Sequence, residues 1–481
     1  MSDVVVIGLG PAGIVASTTL AQAGYAVTAL QTTPSAAQDR ATAQRCPVAS
    51  PVPTVRRRAT EVAVGADATQ HGADGLGGSK LLAAPQSYRL DAWTLWTRTA
   101  TVARYGPQAL TRGADIVDWP VTPGEVDEGY RRIEQMMRVG PRSETAWTRR
   151  MTDAAVDLGW GPFVAPAAAS ADCSGLLAGT TVDVVEGAVL DLETDPSGAV
   201  SGVSYYADGR IHRIGCRAVV LAAAVVSTVR LMLLSGLDGG GQVGRYFMAH
   251  NCFVANGWFP GIDLQRDAGG PAQAVAIGAF EGDSFDHSGL GFLGGSVLQA
   301  AMTGPRSATW RAAVARELPS DLAGPESAAG WVAEHQQSIG TVWAQPDQLA
   351  RAENHIDLDS DHLDPLGRPV ARLTLDLAED DRRRAAFLGQ RMCEWLTAAG
   401  ARRAWATELQ PQPLSTHLYG GARMGHDPAT SVVDGFGRCH TVPGLVVVGS
   451  STFPATGGRG PVQTVEALAW RSAVRLARDL S

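Results

Sequence analysis

The chain opens on an unbroken apolar run, DVVVIG at 3–8. A run without polar alternation predicts a parallel strand buried on both faces. The glycine turn LGPAG follows, then IVASTTLAQAG at helical spacing, then YAVTALQ as a second strand. Further along, residues 123–138 put Val126, Tyr130, Ile133 and Met137 on one face of an amphipathic helix. The stretch 181–234 alternates as strands do and runs into AVVLAAAVVSTVRLMLLSG, a buried strand leading into a helix. ENHIDLDSDHLDPLGRPVARLTLDL and GLVVVGSSTFP predict more strands and turns, whereas 34–72 and the glycine-laden 251–345 predict no sharp element.

Between the first strand and the first helix stand Gly8, Gly10 and Gly13, spaced G-x-G-x-x-G. The first glycine makes the turn, the second lets backbone approach a pyrophosphate, and the third lets helix and strand pack closely. The phosphates then meet unsatisfied N–H groups at the positive end of the helix. The sequence therefore predicts a bound dinucleotide. At the end of the second strand an acid would grip the ribose; Gln31 stands there, able to hydrogen-bond but without a charge.

Composition narrows the picture. A chain of 481 residues, 45% apolar and 18% charged, predicts a soluble globular protein of two domains. No run approaches the roughly 20 apolar residues of a membrane span, and MSDVVVIGLGPAG lacks the basic region of a secretory signal, so a cytoplasmic protein is expected. A net charge of −8 argues against nucleic acid as a partner. Six cysteines without a CxxC pair favour neither zinc nor a disulfide framework, and no metal is expected.

With these motifs in view, the chain resembles the glucose–methanol–choline (GMC) oxidoreductases, FAD-dependent alcohol oxidases and dehydrogenases. LGGS at 76–79 is similar to the family's second glycine motif, DWPVTPGEVDEGYRRIEQMMRVG at 118–140 to its helix after an Asp-Trp-Pro turn, and 219–236 and 243–251 to two further segments. The longest similar block is 417–473, beginning HLYGGARMG and including VVVGSSTFPATGGRGPVQT. The double glycine and the VGSS strand look most like the pyranose-oxidase and sugar-dehydrogenase branch. The resemblance implies an α/β fold: a Rossmann-like FAD-binding domain with a second, substrate domain built on a mainly antiparallel sheet. It divides the chain into FAD-binding parts at 1–120, 181–250 and 415–481, a substrate-side segment at 121–180 and a substrate domain at 251–414. It also implies FAD contacts from Gly8, Gly10, Gly13, Gln31, Gly77, Gly78, Ser79, Val189, Gly449, Ser450 and Pro461. Pyranose oxidases tether FAD through a histidine just after the second glycine motif. Here that stretch reads GGSKLLAA, so the expected FAD is non-covalent.

The implied reaction removes a hydride and a proton from an alcohol, with oxygen or an electron carrier as acceptor. The family's base is the histidine of H-x-x-G-G, which is His417 here. An imidazole suits the task because its ordinary pKa of about 6.5 lies near working pH. The family also places Asn or His before a proline in the last loop; that position is Gly460. Losing one such hydrogen bond costs on the order of 1–3 kcal/mol. Three readings follow: His417 acts alone or with water, Arg459 turns inward to an anionic group, or the pocket has changed its chemistry. The expected substrate is a small sugar, glycoside or aminocyclitol-like alcohol. A non-redox flavin lyase or degenerate member is the alternative kept open by Gly460, and a nicotinamide-dependent dehydrogenase is the reading of the first motif alone.

Overall fold

The computed structural model describes residues 2–32, 54–57, 60–62, 86–141, 144–170, 173–264, 275–300, 308–323, 327–409 and 417–481. The opening apolar run forms strand β1 (Ser2–Ile7), followed by helix α1 (Pro11–Gln22) and strand β2 (Val27–Gln31). β1 lies between β2 and the strand Arg210–Leu221, parallel to both, with Val4 opposite Val27 on one side and Ala218 on the other. Asp183–Glu186 extends the parallel set beyond β2, and Leu445–Val447 extends it beyond the strand Arg210–Leu221, pairing with Val219–Leu221. Parallel order forces crossovers, and helices on the sheet faces leave both sides of each strand dry. That is why Val4, Val5, Val6, Val219 and Val220 are all buried. The other half of Arg210–Leu221 turns out of this layer into an antiparallel meander with Val200–Ala207 and Ala188–Thr194.

The helix expected at 123–138 forms over Pro123–Met137, capped by Thr122 and Glu125 in a reciprocal box. Its apolar face, Val126, Tyr130, Ile133 and Met137, is buried as its spacing predicts. It packs on the C-terminal helix Val462–Leu480 so closely that a Cβ on Gly129 would come within 2.8 Å of the Ala467 carbonyl oxygen.

A second sheet is antiparallel throughout, in the order Arg403–Ala406, Phe253–Trp258, Ile339–Ala344, Leu298–Ala300, Val275–Ile277, Pro162–Val164. Its core has its own residues: Phe253, Phe259 and Val342 against Leu388, Met392 and Trp395 of helix Glu379–Ala398, and Trp147 and Met151 of helix Ala146–Asp157. The Trp395 indole N–H donates to the Met151 carbonyl (2.8 Å), which satisfies the one polar atom of a fully buried ring. The strands expected in ENHIDLDSDHLDPLGRPVARLTLDL are His355–Leu363 and Pro369–Thr374, which pair antiparallel. The result is a mixed α/β molecule with several sheets, one largely parallel and one antiparallel.

Candidate active site

A two-stranded ladder, Met248–Ala249 against Leu418–Tyr419, brings together segments far apart in sequence. The His250 amide continues it by donating to the His417 carbonyl (3.0 Å), so the two imidazoles start from adjacent backbone. Gly420 ends the ladder with φ +76°, and a Cβ there would fall 2.0 Å from the Tyr246 carbonyl oxygen. Only glycine fits that close approach.

The two rings meet at Nδ1, 3.2 Å apart. The His250 Nε2 lies 2.7 Å from the Gly457 carbonyl oxygen. A carbonyl only accepts, so Nε2 of neutral His250 carries the proton and its Nδ1 is bare. His417 then donates from Nδ1, and Tyr419 stands with its hydroxyl 3.2 Å from the same His250 nitrogen. In this tautomer Nε2 of His417 holds the lone pair. Burial holds both rings neutral. It lowers His417 to about 4, and it lowers His250 to about 3 with help from the neighbouring His417, against the pull of the Gly457 carbonyl.

The loop 456–461 lies against the antiparallel sheet through a hydrogen bond at each of several residues. Thr456 Oγ1 accepts from the Gln348 amide (2.9 Å), Gly457 from His250, and Gly458 O from the Val297 amide (2.9 Å). Arg459 turns neither to bulk water nor onto His417. Its guanidinium forms a two-point ion pair with Glu281, donates to the Arg89 carbonyl (3.1 Å) and lies 5.7 Å from the Tyr88 ring centre. Gly460 does face His417: a Cβ built on it would stand 3.7 Å from His417 Cε1 and 3.8 Å from Gln345 Oε1. Pro461 caps the C-terminal helix.

This geometry separates two glycines of the same loop. At Gly460 a methyl group meets only ordinary contacts and the backbone is outside the left-handed region. At Gly458 a Cβ would press to 2.9 Å on the Ser296 Cα, which is backbone and cannot swing away. Gly460→Ala is therefore expected to be neutral or to gain up to about 1 kcal/mol, and Gly458→Ala to lose about 1–3 kcal/mol. Urea denaturation midpoints check this; equal midpoints for the two variants contradict it.

Near the start of the chain, the first turn of α1 fits a pyrophosphate. Pro11 has no N–H and the Ile14 amide is taken by Gly10 O (3.0 Å), which leaves the Ala12 and Gly13 amides at the open end. A Cβ on Gly10 would meet nothing within 4 Å, so the approach is clear. A Cβ on Gly13 would fall 1.8 Å from Gly8 O, which is why helix and turn can close together. Gln31 sits at the end of β2, but its Oε1 already accepts from the Leu9 amide (2.7 Å) and braces the turn. Val189 is half-buried on the neighbouring meander strand. Gly449 and Ser450 follow the strand Leu445–Val447, where Ser450 O accepts from the Gly420 amide (3.0 Å) and ties this turn to the histidine ladder. Gly77, Gly78 and Ser79 lie outside the described residues.

Sequence alone gives no role to three residues that the fold brings to this site: His250, Gln345 and Glu281. His250 falls in the similar segment 243–251, but no local motif marks Gln345 or Glu281; the signal of all three is three-dimensional, a polar side chain buried beside His417 or Arg459.

Comparison with known proteins agrees with the C-terminal block. Residues 350–469 match the family model described as GMC oxidoreductase, for its C-terminal domain. The chain is 31% identical over 276 residues to the gluconate 2-dehydrogenase flavoprotein of Pantoea cypripedii, covering 53% of this chain and 43% of that protein. It is 28% identical over 320 residues to the fructose dehydrogenase large subunit of Gluconobacter japonicus (61% and 53%). It is also 38% identical over 147 residues to the paromamine 6'-oxidase of Streptomyces fradiae (30% and 26%). The chain thus spans about half the length of the first two relatives and about a quarter of the third.

Proposed function

From a chain that carries a GMC oxidoreductase C-terminal domain, we propose an FAD-dependent oxidoreductase that oxidises a hydroxyl group of a sugar, glycoside or aminocyclitol-like small molecule. The observation that carries this reading is the tautomer at His417. Its Nδ1–H is directed to His250, so a buried, neutral imidazole with Nε2 as its basic atom lies with Cε1 toward Gly460. When bound, FAD supplies the acceptor for the hydride leaving the substrate carbon. His417 Nε2 takes the hydroxyl proton. His250, itself held by Gly457 O and neighboured by Tyr419, keeps the His417 ring from turning. Gly8, Gly10 and Gly13 with the amides of α1 would hold the pyrophosphate, Gln31 would offer its NH2 end to the ribose, and Val189, Gly449, Ser450 and Pro461 would line the rest of a non-covalent FAD site, with Gly77, Gly78 and Ser79 implied by the resemblance alone.

The division into FAD-binding parts at 1–120, 181–250 and 415–481 and substrate-side parts at 121–180 and 251–414 is supported by strand membership. The described strands of the parallel layer around β1 come from the former and the described strands of the six-stranded antiparallel sheet from the latter, while Pro369–Thr374 pairs parallel with Thr54–Arg57 across the division. Arg459 is a brace for the loop in this reading, since Glu281 occupies its guanidinium. Oxygen or a carrier serves as electron acceptor.

An anaerobic titration of the purified protein with sugars, glycosides and aminocyclitols tests the proposal. Bleaching of a flavin band near ~450 nm by at least one alcohol is the expected result. A bound flavin that no alcohol bleaches would sink it and favour the lyase reading.

A further inference from the structure

The strand Ile339–Ala344 carries its side chains to two sides in turn. Val342 and Ala344 enter the core against helix Glu379–Ala398. Trp343 therefore stands on the opposite side, as does its cross-strand partner Gln299, and the row continues through Ala276 to Phe163. That side looks toward the loop 456–461. The Arg459 guanidinium carbon lies 5.9 Å from the Phe163 ring centre, and Gln345, two residues beyond Trp343 in the chain, borders Gly460 beside His417. Two residues of extended chain span roughly 6.5 Å, so Trp343 stands one short step back from the candidate base.

Trp343 is half-buried, and none of the buried apolar clusters of the described residues includes it. Its indole N–H is buried, so what the side chain exposes is carbon. Val254, its partner on the neighbouring strand, is half-buried in the same way. Ile339, at the start of the strand, is covered by Val314, Trp331 and Val332, so this side of the sheet is sealed there and open at Trp343. On the other flank Gln86, also half-buried, donates to Gln299 Oε1 (2.7 Å). An aromatic face with an amide at its edge suits a pyranose ring, whose C–H face is apolar and whose rim is polar. We propose that Trp343 is the platform of a second subsite, stacking on the ring glycosidically linked to the one oxidised, so that the pocket selects two-ring glycosides over free monosaccharides. This rests on the alcohol-oxidation reading above. The step from Gln345 to Trp343 is about the span of one such ring.

The test uses the full-length protein with its flavin reduced beforehand, so that calorimetry reads binding without turnover. The probes are D-glucose and D-galactose against cellobiose and lactose, the disaccharides that carry each as their terminal ring. The wild type is expected to bind at least one disaccharide roughly tenfold more tightly than its terminal monosaccharide, the worth of one apolar ring face taken from water. Trp343→Ala should erase that preference and leave the monosaccharide unchanged, whereas Trp343→Phe should keep most of it. Fluorescence decides the matter if Trp343→Ala does not fold: the disaccharide should quench tryptophan emission more in the wild type than in Trp343→Phe. No disaccharide preference in the wild type, no binding of any probe, a preference that survives Trp343→Ala, or equal quenching in Trp343→Phe would each overturn the proposal. Anaerobic bleaching of the oxidised flavin is read separately. A preference without bleaching sinks the oxidation reading alone, whereas bleaching without a preference sinks only the role of Trp343.

Discussion

His417→Ala is expected to slow flavin bleaching by substrate by roughly 10²–10⁴-fold, the usual contribution of a positioned general base, while flavin binding stays intact. The proposed base and the glycine turn at 8–13 belong to separate segments of the chain, so loss of the His417 side chain is expected to leave the turn in place. Stopped-flow reduction together with the flavin-to-protein absorbance ratio measures both, and unchanged turnover would remove His417 from the role of base. The same base sets the pH profile. In the proposed reaction His417 works unprotonated, and burial holds it at about 4, so the reduction rate should stay level from pH 8 down to pH 5 and fall only as pH drops through that value. An unperturbed imidazole would already lose half its rate near pH 6.5. Stability moves in the same direction. The unfolded chain protonates His417 and His250 below about 6.5, while the folded chain resists down to about 4 and about 3. More protons on the unfolded state mean that stability falls as pH is lowered through this window. His417→Gln should lessen that loss in urea titrations at pH 7 and pH 5.

Glu281→Ala is expected to destabilise the fold by about 3–5 kcal/mol, the cost of leaving a largely buried charge without its partner. Glu281 is 3% exposed and the Arg459 side chain 22%, so solvent cannot take over from the carboxylate. The pair also joins the loop 456–461 to the segment after Val275–Ile277 in the antiparallel sheet. Destabilisation should therefore come with weaker substrate binding. The double variant Glu281→Leu/Arg459→Met removes both charges and should recover most of the loss, because an apolar pair of similar volume needs no mutual compensation. Denaturant midpoints for the three proteins decide; a double variant no better than Glu281→Ala would mean that packing, not charge, holds the loop.

Arg459 illustrates what sequence could and could not say. Its neighbours in the chain are glycines, which describe an exposed or pocket-facing loop equally well. Its partner Glu281 lies 178 residues away in a segment with no pattern of its own. His250 and His417 stand in the same relation, 167 residues apart and joined by strands of only two residues each. Strands that short leave no alternation to read.

The parts that were legible rest on local physics. The run DVVVIG had to be a buried strand because apolar side chains on both faces need cover on both faces, and the glycines after it had to be a turn because helix and strand approach to within contact there. The helix Pro123–Met137 was legible because its 3.6-residue spacing and its cap lie within one short segment. Sequence by itself thus determined the opening strand, the glycine turn, the helix Pro123–Met137 and the identity of a candidate base, but not the second sheet, most of whose strands lie in the patternless 251–345. Tertiary structure alone decided that His417 meets His250 through Nδ1, that Arg459 is spent on Glu281, and that His417 and Gln345 both border Gly460. Those are properties of distance and burial between remote segments, and no local pattern of side chains encodes them.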